Sequence, residues 1–444
     1  MKCVRLLFCM IGLMVLFGCD QKVQPLRVCV DLEYIYDGAV GVETAVYDFE
    51  HSIKETGGIT DVVFEYLPYD GVERETQIDR LYTEIMAGGG PDVFIVACDG
   101  AQWHNPSEDA IFQMPEKAME IGLFMSLDSY IKKAKYAEWD ELNQTVLSAG
   151  KNKRGQQLVP LTYTFPAIFY KSSNLEHTPA RSITWENMLS DEAMYDSAAR
   201  LCDGELIIGD VGSSVDFRID YILGELADFR KEELLFTEEE LKQRIDQIMQ
   251  LKGYAEQSGI LDEPFWSDRY LGNHCTASEY NGKRESNGLY PDDEFTFVPL
   301  YSDDGGLTAM VLSYAAINAN TRRPEDAFTV VDLLMRTHTQ QYAPIYKGWL
   351  YSKGAYGIPM DNRLMQKDYP LTFSQYRAKW YFSPENYDTY CLLRNQITNV
   401  QFPGSLNIEL EKLMIECSVA YKNRKDYSDL ISESYRKMDM MIGE

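Results

Sequence analysis

The first hundred residues alternate between extended and helical patterns, and this alternation restricts the chain to an α/β architecture. Residues 26 to 30 predict a strand, residues 42 to 55 a helix, and residues 61 to 66 a second strand rich in β-branched and aromatic side chains. Apolar side chains spaced by three and four predict a second helix over residues 72 to 87. The apolar run at residues 93 to 97 completes a βαβαβ unit, so we expect an open α/β sheet.

The carboxyl ends of these strands are the expected place for a ligand. In open α/β sheets, ligands bind in the crevice outside the carboxyl ends of the strands. In this chain those ends continue into the loops of residues 31 to 39, 68 to 72 and 98 to 105. The strand pattern therefore predicts a binding site at these three loops.

The amino terminus has the pattern of a secretory signal. Lys2 and Arg5 precede an apolar run of residues 6 to 17, which is too short to span a bilayer. The run ends in Leu-Phe-Gly-Cys at residues 16 to 19, which resembles a bacterial lipobox and implies a lipid on Cys19. The alternative is that Cys19 ends an uncleaved anchor. Both interpretations hold the chain at a membrane, on its extracytoplasmic face.

Composition excludes several classes of function. The chain has 444 residues, enough for about two domains, and a formal net charge of −27, which repels nucleic acid. The nine cysteines include no C-x-x-C motif, which argues against a disulfide framework and a cysteine zinc site, and the five histidines are scattered. We therefore expect no metal, no cofactor and no nucleic-acid partner, and we expect most thiols to be buried.

The second half of the chain predicts another, more helical lobe. Residues 158 to 170 are extended, apolar and twice interrupted by proline, as expected for a segment that crosses between lobes. The remaining predicted elements are helices at residues 185 to 189, 215 to 227, 237 to 257 and 324 to 337, strands at residues 295 to 299 and 309 to 318, and mostly helical, tyrosine-rich structure from residue 362 onward.

Three stretches together resemble the extracellular solute-binding proteins, family 1, which include maltose-binding protein. Residues 81 to 96 have the pattern of a helix that ends in a glycine turn followed by Pro-Asp and a hydrophobic strand. Residues 122 to 128 are similar to the linker of that family, with residues 184 to 188 following. Residues 315 to 334 are similar to its return strand and the next helix. The order and spacing of the three stretches agree with the family.

This resemblance implies two α/β lobes with a periplasmic-binding-protein-like (type II) fold, hinge crossings and a helical carboxyl-terminal region. The solute binds between the lobes, and the closed form docks on the transmembrane subunits of an ABC permease. We expect crossings near residues 162 to 165, 309 to 311 and 354 to 357. The predicted segments are a signal peptide (1–18), a lipidated tether (19–25), an amino-terminal lobe (26–163 and 312–354) and a carboxyl-terminal lobe (164–311 and 355–444). Residues 265 to 285 depart from the family pattern, which leaves the second-lobe contacts open.

Sugar sites combine stacking aromatic rings with polar groups that satisfy hydroxyls, so aromatic residues in the predicted loops are the ligand-binding candidates. Trp103, followed by His104 and Asn105 after the third strand, is the first candidate. The others are Glu33, Tyr34, Tyr36 and Asp37 after the first strand, Tyr163 in the first crossing, and Trp266, Tyr270 and Trp349 farther along. Trp185 and Trp380 lie in helical patterns, where core packing is expected.

Three common catalytic or nucleotide-binding motifs are absent from the sequence. It contains no Gly-x-Ser-x-Gly elbow, no His-Glu-x-x-His helix and no phosphate-binding Gly-x-x-x-x-Gly-Lys loop. With 69 acidic residues, carboxylate pairs arise by chance and none is selected. The sequence therefore favours a non-catalytic protein that captures a solute. The alternatives are a secreted glycan-active enzyme and a surface adhesin that use the same fold.

Overall fold

The computed structural model describes residues 24–31, 42–68, 71–98, 110–171, 207–209, 219–257, 270–276, 283–284, 295–299, 301–302, 305–342, 358–366, 368, 371–373, 378–381 and 384–443. Within these ranges, no helix is both long enough and apolar enough to cross a membrane. Four cysteines of the described part are free thiols, and Cys29, Cys98 and Cys417 are buried, as the sequence predicts for most thiols.

The predicted βαβαβ unit is confirmed. It consists of β1 (Leu26–Asp31), α1 (Val42–Glu55), β2 (Val62–Tyr66), α2 (Gly71–Met86) and β3 (Val93–Ala97). Strand β1 pairs in parallel with β2 on one side and β3 on the other. Gly88, just after α2, has a φ of 79°, the left-handed conformation that lets glycine end a helix.

The next described segment adds short elements between this unit and the following long strand. They are α3 (Pro115–Ile121), α4 (Asp128–Ile131), a 3-10 turn (Trp139–Glu141), α5 (Gln144–Ala149), β4 (Lys151–Asn152), β5 (Gly155–Gln156) and β6 (Leu158–Thr164). The chain continues through β7 (Pro166–Lys171), β8 (Ile207–Gly209), α6 (Ile219–Leu223), β9 (Ala227–Asp228), β10 (Glu233–Leu234) and α7 (Glu238–Gln257).

The remaining elements complete the sheets and the carboxyl-terminal helices. They are β11 (Tyr270–Thr276), β12 (Lys283–Arg284), β13 (Phe295–Pro299), β14 (Leu307–Ile317), α8 (Pro324–Met335), α9 (Thr337–Tyr342), β15 (Ile358–Pro359), β16 (Leu371–Phe373), β17 (Ala378–Tyr381), α10 (Pro384–Arg394), β18 (Ile397–Gln401), α11 (Ser405–Lys422) and α12 (Ser428–Gly443).

Among the described residues, the largest sheet has seven strands and is mixed. Six of its strands have the order β15-β6-β14-β3-β1-β2. The seventh, β18, pairs with the first residues of β14. Strand β14 is antiparallel to both β3 and β6, and all eleven of its residues are buried. Strand β6 is also buried throughout although it contains Pro160. Its second neighbour, β15, pairs only with Thr162 and Tyr163, so Pro160 is paired on one side alone, where the missing N–H is tolerated.

Two predictions of secondary structure were wrong in part. The helix expected over residues 215 to 227 is described only as the short α6, and the chain turns into β9 at Ala227. After residue 362 the described structure is mostly helical, as expected, but Trp380, which was predicted to lie in a helical pattern, belongs to β17, and β16 and β18 are further strands. Strand β18 contains the β-branched residues Ile397, Thr398 and Val400 and pairs with β14, so pairing with a long buried strand determines its conformation.

The described residues form two hydrophobic cores. The first surrounds the seven-stranded sheet and continues through Ile358, Tyr390 and Phe402. The second lies among α6, α7, α11 and α12. A separate four-stranded sheet has the order β13-β7-β11-β8, and β12, β17 and β16 form a third sheet. The predicted lobe boundaries remain a prediction. Strands β15 and β18 lie within residues 355–444, which were assigned to the carboxyl-terminal lobe, but both strands belong to the seven-stranded sheet.

Candidate functional site

The carboxyl ends of several strands meet at one edge of the seven-stranded sheet. Strands β1, β2 and β3 are parallel, so Asp31, Tyr66 and Ala97 end at this edge. Strand β14 is antiparallel to both β3 and β6, so β6 runs in the direction of β3 and also ends here. Ala97 lies opposite Ser313 and Thr164 opposite Met310, which places the end of β6 beyond the end of β3.

Between the elements that the structure describes, three connections lead from this edge to the rest of the molecule. Phe165 separates β6 from β7, which lies in the four-stranded sheet. Residues 300 to 306 separate β13, in that same sheet, from β14. Residues 402 to 404 separate β18 from α11, whose apolar face lies in the second core. This edge therefore faces the region between the cores, where a cleft for a ligand is expected.

The three predicted crossings compare with these connections as follows. The connection at Phe165 lies within the predicted residues 162 to 165. Strand β14 already pairs with β18 at Leu307, so the second connection precedes the predicted residues 309 to 311. Residues 354 to 357 lie outside the described residues. The connection at residues 402 to 404 was not predicted, although Pro403 and Gly404 are a common signal of a break between elements.

A buried salt bridge holds the carboxyl end of β1. The Arg74 guanidinium donates from Nη1 to Asp31 Oδ1 at 2.7 Å and from Nη2 to Asp31 Oδ2 at 3.0 Å. Nη1 also donates to the carbonyl oxygen of Pro68 at 2.9 Å. Only 6% of Arg74 is exposed. Through this bidentate contact, Arg74 links the end of β1 and Pro68 to the first turns of α2 at the candidate site.

Replacing Arg74 with methionine is expected to lower the free energy of unfolding by about 3 kcal/mol, because the Asp31 carboxylate would stay partly buried without its cation. Urea denaturation of the two proteins measures the difference. Arg323→Met is the matched control. Arg323 makes an equivalent two-pronged contact to Asp61 at the opposite edge, but Asp61 is 43% exposed, so we expect a loss of about 1 kcal/mol or less. Equal losses of stability for Arg74→Met and Arg323→Met would contradict the explanation that burial makes the Arg74 salt bridge the stronger of the two.

Tyr163 packs in the core and does not face a cleft, contrary to its prediction as a ligand contact. Its side chain is 0% exposed. Its hydroxyl lies 2.9 Å from the Tyr390 hydroxyl and accepts a hydrogen bond from Asn143 Nδ2 at 3.0 Å. Burial raises the pKa of Tyr163 and of Tyr390 above the usual value for a phenol. The pair therefore remains neutral and joins β6 to α10 beneath the crossing at Phe165.

Of the other predicted ligand contacts, Tyr270 belongs to a described strand. Tyr270 begins β11 in the four-stranded sheet, opposite Ile207 of β8. The remaining candidates and the predicted lipidation residue lie outside the described residues: Cys19, Glu33, Tyr34, Tyr36, Asp37, Trp103, His104, Asn105, Trp266 and Trp349. Their roles remain predictions. The described ends of the two relevant loops, Asp31 and Cys98, do lie at the candidate edge.

A buried polar network fixes the connection between β18 and α11. Asn407 Nδ2 donates to Asp220 Oδ2 at 2.9 Å and to Gln401 Oε1 at 3.0 Å, while its own Oδ1 accepts from the Gly404 amide at 3.0 Å. Gln401 Nε2 donates to the carbonyl oxygen of Asp220 at 3.0 Å. The network links three elements through satisfied side chains, so it sets the direction in which the chain enters α11.

The sequence interpretation missed both Arg74 and this network. A charged residue in the first turns of a helix usually lies on a solvated face, and the partner of Arg74 is 43 residues away. Asp220 and Asn407 are 187 residues apart. In the part of the chain that the structure describes, no three His, Cys, Asp or Glu side chains form a group that could hold a metal ion.

Comparison with known proteins bears on the fold. No protein-family model matches the sequence, and no curated protein sequence matches it. Solved structures do match over nearly the whole chain. An extracellular solute-binding protein family 1 from Alicyclobacillus acidocaldarius covers 95% of this chain and 98% of its own, with a TM-score of 0.55 and 12% identity. The chain has the solute-binding protein fold.

Two sugar-binding structures share this solute-binding fold. The galacto-N-biose-/lacto-N-biose I-binding protein of the ABC transporter from Bifidobacterium longum, in complex with lacto-N-biose, has a TM-score of 0.55 and 14% identity. The cyclic alpha-maltosyl-1,6-maltose binding protein from Arthrobacter globiformis has a TM-score of 0.53 and 14% identity. Each match covers 94% of this chain and 98% of the matched chain. The chain therefore shares its fold with two proteins that are named for the sugars they bind.

Proposed function

We propose that this protein is the extracytoplasmic substrate-binding component of an ABC importer and that its solute is a carbohydrate, with an oligosaccharide favoured. The observation that carries the proposal is the match of at least 94% of the chain to solute-binding structures, two of which are named for the oligosaccharides that they bind. The candidate edge supports it, since three connections to the rest of the molecule lie where the strand ends converge.

The proposed mechanism is closure around the solute. A solute that contacts both sides of a cleft favours the arrangement in which both sides reach it, and its binding therefore shifts the population toward that form. The closed form would then present a surface to the transmembrane subunits of the permease. A lipid on Cys19 would hold the protein at the outer face of the cell membrane.

A thermal-shift screen of the protein from Gln21 onward tests the ligand class. The panel contains mono- and oligosaccharides, polyols, amino acids and peptides. A ligand at a hundredfold excess over its dissociation constant should add about 2.7 kcal/mol to the stability of the folded protein. A shift with a sugar class and no turnover of that sugar supports the proposal. Turnover would instead indicate a glycan-active enzyme, and a response to none of the sugars would contradict a carbohydrate ligand.

Trp103→Ala is expected to weaken binding of the identified sugar about tenfold, because an aromatic ring that stacks on a sugar contributes on the order of 1.4 kcal/mol. Isothermal titration calorimetry measures the change. Tyr82→Ala is the control, since Tyr82 is an exposed aromatic residue of α2, well after the turns that contact Asp31. Unchanged affinity in the Trp103 variant would exclude Trp103 as a ligand contact.

A further inference from the structure

The described chain begins at the edge of the seven-stranded sheet that lies opposite the candidate edge. Strands β1, β2 and β3 begin at this amino edge, and β14 ends there. The Leu26 amide donates to the Asp61 carbonyl oxygen at 2.8 Å, and the Gln24 carbonyl oxygen accepts from Arg323 Nη1 at 3.1 Å. These contacts fix Gln24 at the amino edge, so the segment from Cys19 joins the sheet there.

The proposed lipid on Cys19 limits the distance between the amino edge and the membrane. The chain from Cys19 to Gln24 spans at most about 18 Å when fully extended. Strand β1 is about 17 Å long and separates the amino edge from the candidate edge. With the candidate edge against the bilayer, the tether would be almost fully extended, which costs conformational entropy. The short tether therefore favours an orientation with the amino edge toward the membrane.

Residues 123 to 131 lie along the same edge and lead into two exposed lysines. The Met125 amide donates to the carbonyl oxygen of Ile317, the last residue of β14, at 2.8 Å. Helix α4 follows, and Lys132 and Lys133 come directly after it in the sequence. Both lysines are exposed. The pairing with the end of β14 therefore places two cations near the amino edge.

Two further turns at the amino edge add three exposed basic side chains. Strand β6 begins at Leu158, next to the end of β14, and the β4–β5 hairpin comes just before it. Lys153 and Arg154 form the turn of this hairpin, and Arg322 lies in the turn that follows β14. All three are exposed. Together with the two lysines after α4, they form a set that we call the basic rim: Lys132, Lys133, Lys153, Arg154 and Arg322.

The basic rim is available to an anionic partner. Among the described residues, none of its five side chains forms an ion pair, whereas the acids Asp61 and Asp326 of the same edge both pair with Arg323. Glu55 and Glu325 are exposed and reduce the local positive charge without cancelling it. The whole chain has a formal net charge of −27. The basic rim is therefore a local region of opposite charge, at the edge where the tether joins the sheet.

We propose that the basic rim docks on anionic phospholipid headgroups of the membrane that holds Cys19, and thereby keeps the candidate edge away from the bilayer. The inference rests on the proposed function, which supplies the lipid anchor. Lysine and arginine side chains are attracted to an anionic membrane within about a Debye length of its surface, and the short tether keeps the rim near that distance. The excess negative charge of the remaining surface is repelled, so the candidate edge faces the medium from which the solute arrives.

Energy transfer from the protein to the bilayer surface tests this orientation. The full lipidated chain carries a donor dye, attached through an encoded azide-bearing amino acid, either at the exposed Thr60 of the amino edge or at the exposed Val72 near the candidate edge. The vesicles carry acceptor-labelled headgroups. With about 30% phosphatidylglycerol in phosphatidylcholine, we expect position 60 to lie about 15 Å closer to the bilayer surface than position 72. On pure phosphatidylcholine, or in about 1 M salt, this difference should fall to about half, because the tether alone permits a wide range of tilts.

Two charge-neutralising variants separate the basic rim from the overall charge of the protein. The rim variant should show the phosphatidylcholine value of the distance difference even on the anionic vesicles, and it combines Lys132→Gln, Lys133→Gln and Lys153→Gln. The control variant removes three exposed charges from the turn between α11 and α12 and should keep the full difference; it combines Lys422→Gln, Arg424→Gln and Lys425→Gln.

The proposal is overturned if the distance difference is the same on anionic and neutral vesicles, or if the rim variant retains the full difference. Flotation of the vesicles reports the anchor separately. A chain that does not float with the vesicles lacks the lipid, which overturns this proposal and leaves the sugar-binding part of the proposed function intact. Since no sugar is used, a sugar screen without a response would leave the measured orientation unchanged.

Discussion

Replacing Asp332 with alanine is expected to lower the free energy of unfolding by about 4 kcal/mol, because one carboxylate satisfies four donors. Asp332 lies on the buried face of α8 and is 2% exposed. Its Oδ2 accepts from the amides of Lys135 at 2.8 Å and Tyr136 at 3.0 Å. Its Oδ1 accepts from the Ala137 amide at 3.2 Å and from Trp139 Nε1 at 2.9 Å.

The loss arises from the donors that remain after the substitution. Alanine leaves the three amides and the indole N–H without their acceptor, and a buried donor without a partner costs about 1 to 3 kcal/mol. Lys135 is exposed and can exchange its partner for water, so the full sum is not expected. Asp332→Asn should give an intermediate loss. The asparagine side chain keeps one acceptor oxygen, but its NH₂ group replaces the other oxygen and would face two N–H donors.

Urea denaturation of the Asp332 variants measures these losses. Glu325→Gln, at an exposed position in the first turn of the same helix, should change the stability by no more than about 0.5 kcal/mol. A loss below about 1 kcal/mol for Asp332→Ala would show that the loop of residues 135 to 137 finds other acceptors. The position could be suspected from the sequence, where Asp332 interrupts an apolar run between Val331 and Leu333.

Local patterns were sufficient to predict the elements whose own side chains select the conformation. Helix α1 and strand β3 were predicted with the bounds that the structure shows, because each has a clear period or an uninterrupted apolar run between glycine and proline signals. Strand β18 was missed because it has only five residues, three of them polar, which give a weak pattern, and its pairing partner in β14 is about ninety residues away.

The failure at Tyr163 has a different physical origin. The residue was placed correctly next to a connection, but its side-chain direction could not be read from alternation. Every residue of β6 is buried, so the strand has no solvated face that would distinguish one direction from the other. The partners of its hydroxyl are Asn143, the residue before α5, and Tyr390 of α10, which lie 20 and 227 residues away in the sequence. Arg74 was missed for the same reason, since its environment is created by a tertiary contact with Asp31.

Replacing Phe94 with alanine is expected to lower the free energy of unfolding by about 4 kcal/mol, through loss of apolar burial and creation of a cavity in the first core. Phe94 lies in β3 and is 1% exposed. Its ring centroid lies 5.0 Å from that of Phe112, at an interplanar angle of 89°, and 6.4 Å from that of Phe124. Phe112 and Phe124 also contact each other edge to face, at 4.9 Å.

The three rings support one another, so the cavity left by Phe94→Ala cannot close without disturbing Phe112 and Phe124. Phe94→Leu retains most of the volume and should cost about 1.5 kcal/mol. Val63→Ala in β2 is the control, because Val63 is 44% exposed and should cost about 0.5 kcal/mol. Equal effects of the three substitutions in urea denaturation would contradict this assignment. In the sequence, Phe94 lies before the segment that contains Trp103, and Phe112 lies after it. The contact between the two rings therefore joins the two ends of that segment. If Trp103 contacts the sugar, Phe94→Leu should also weaken sugar binding.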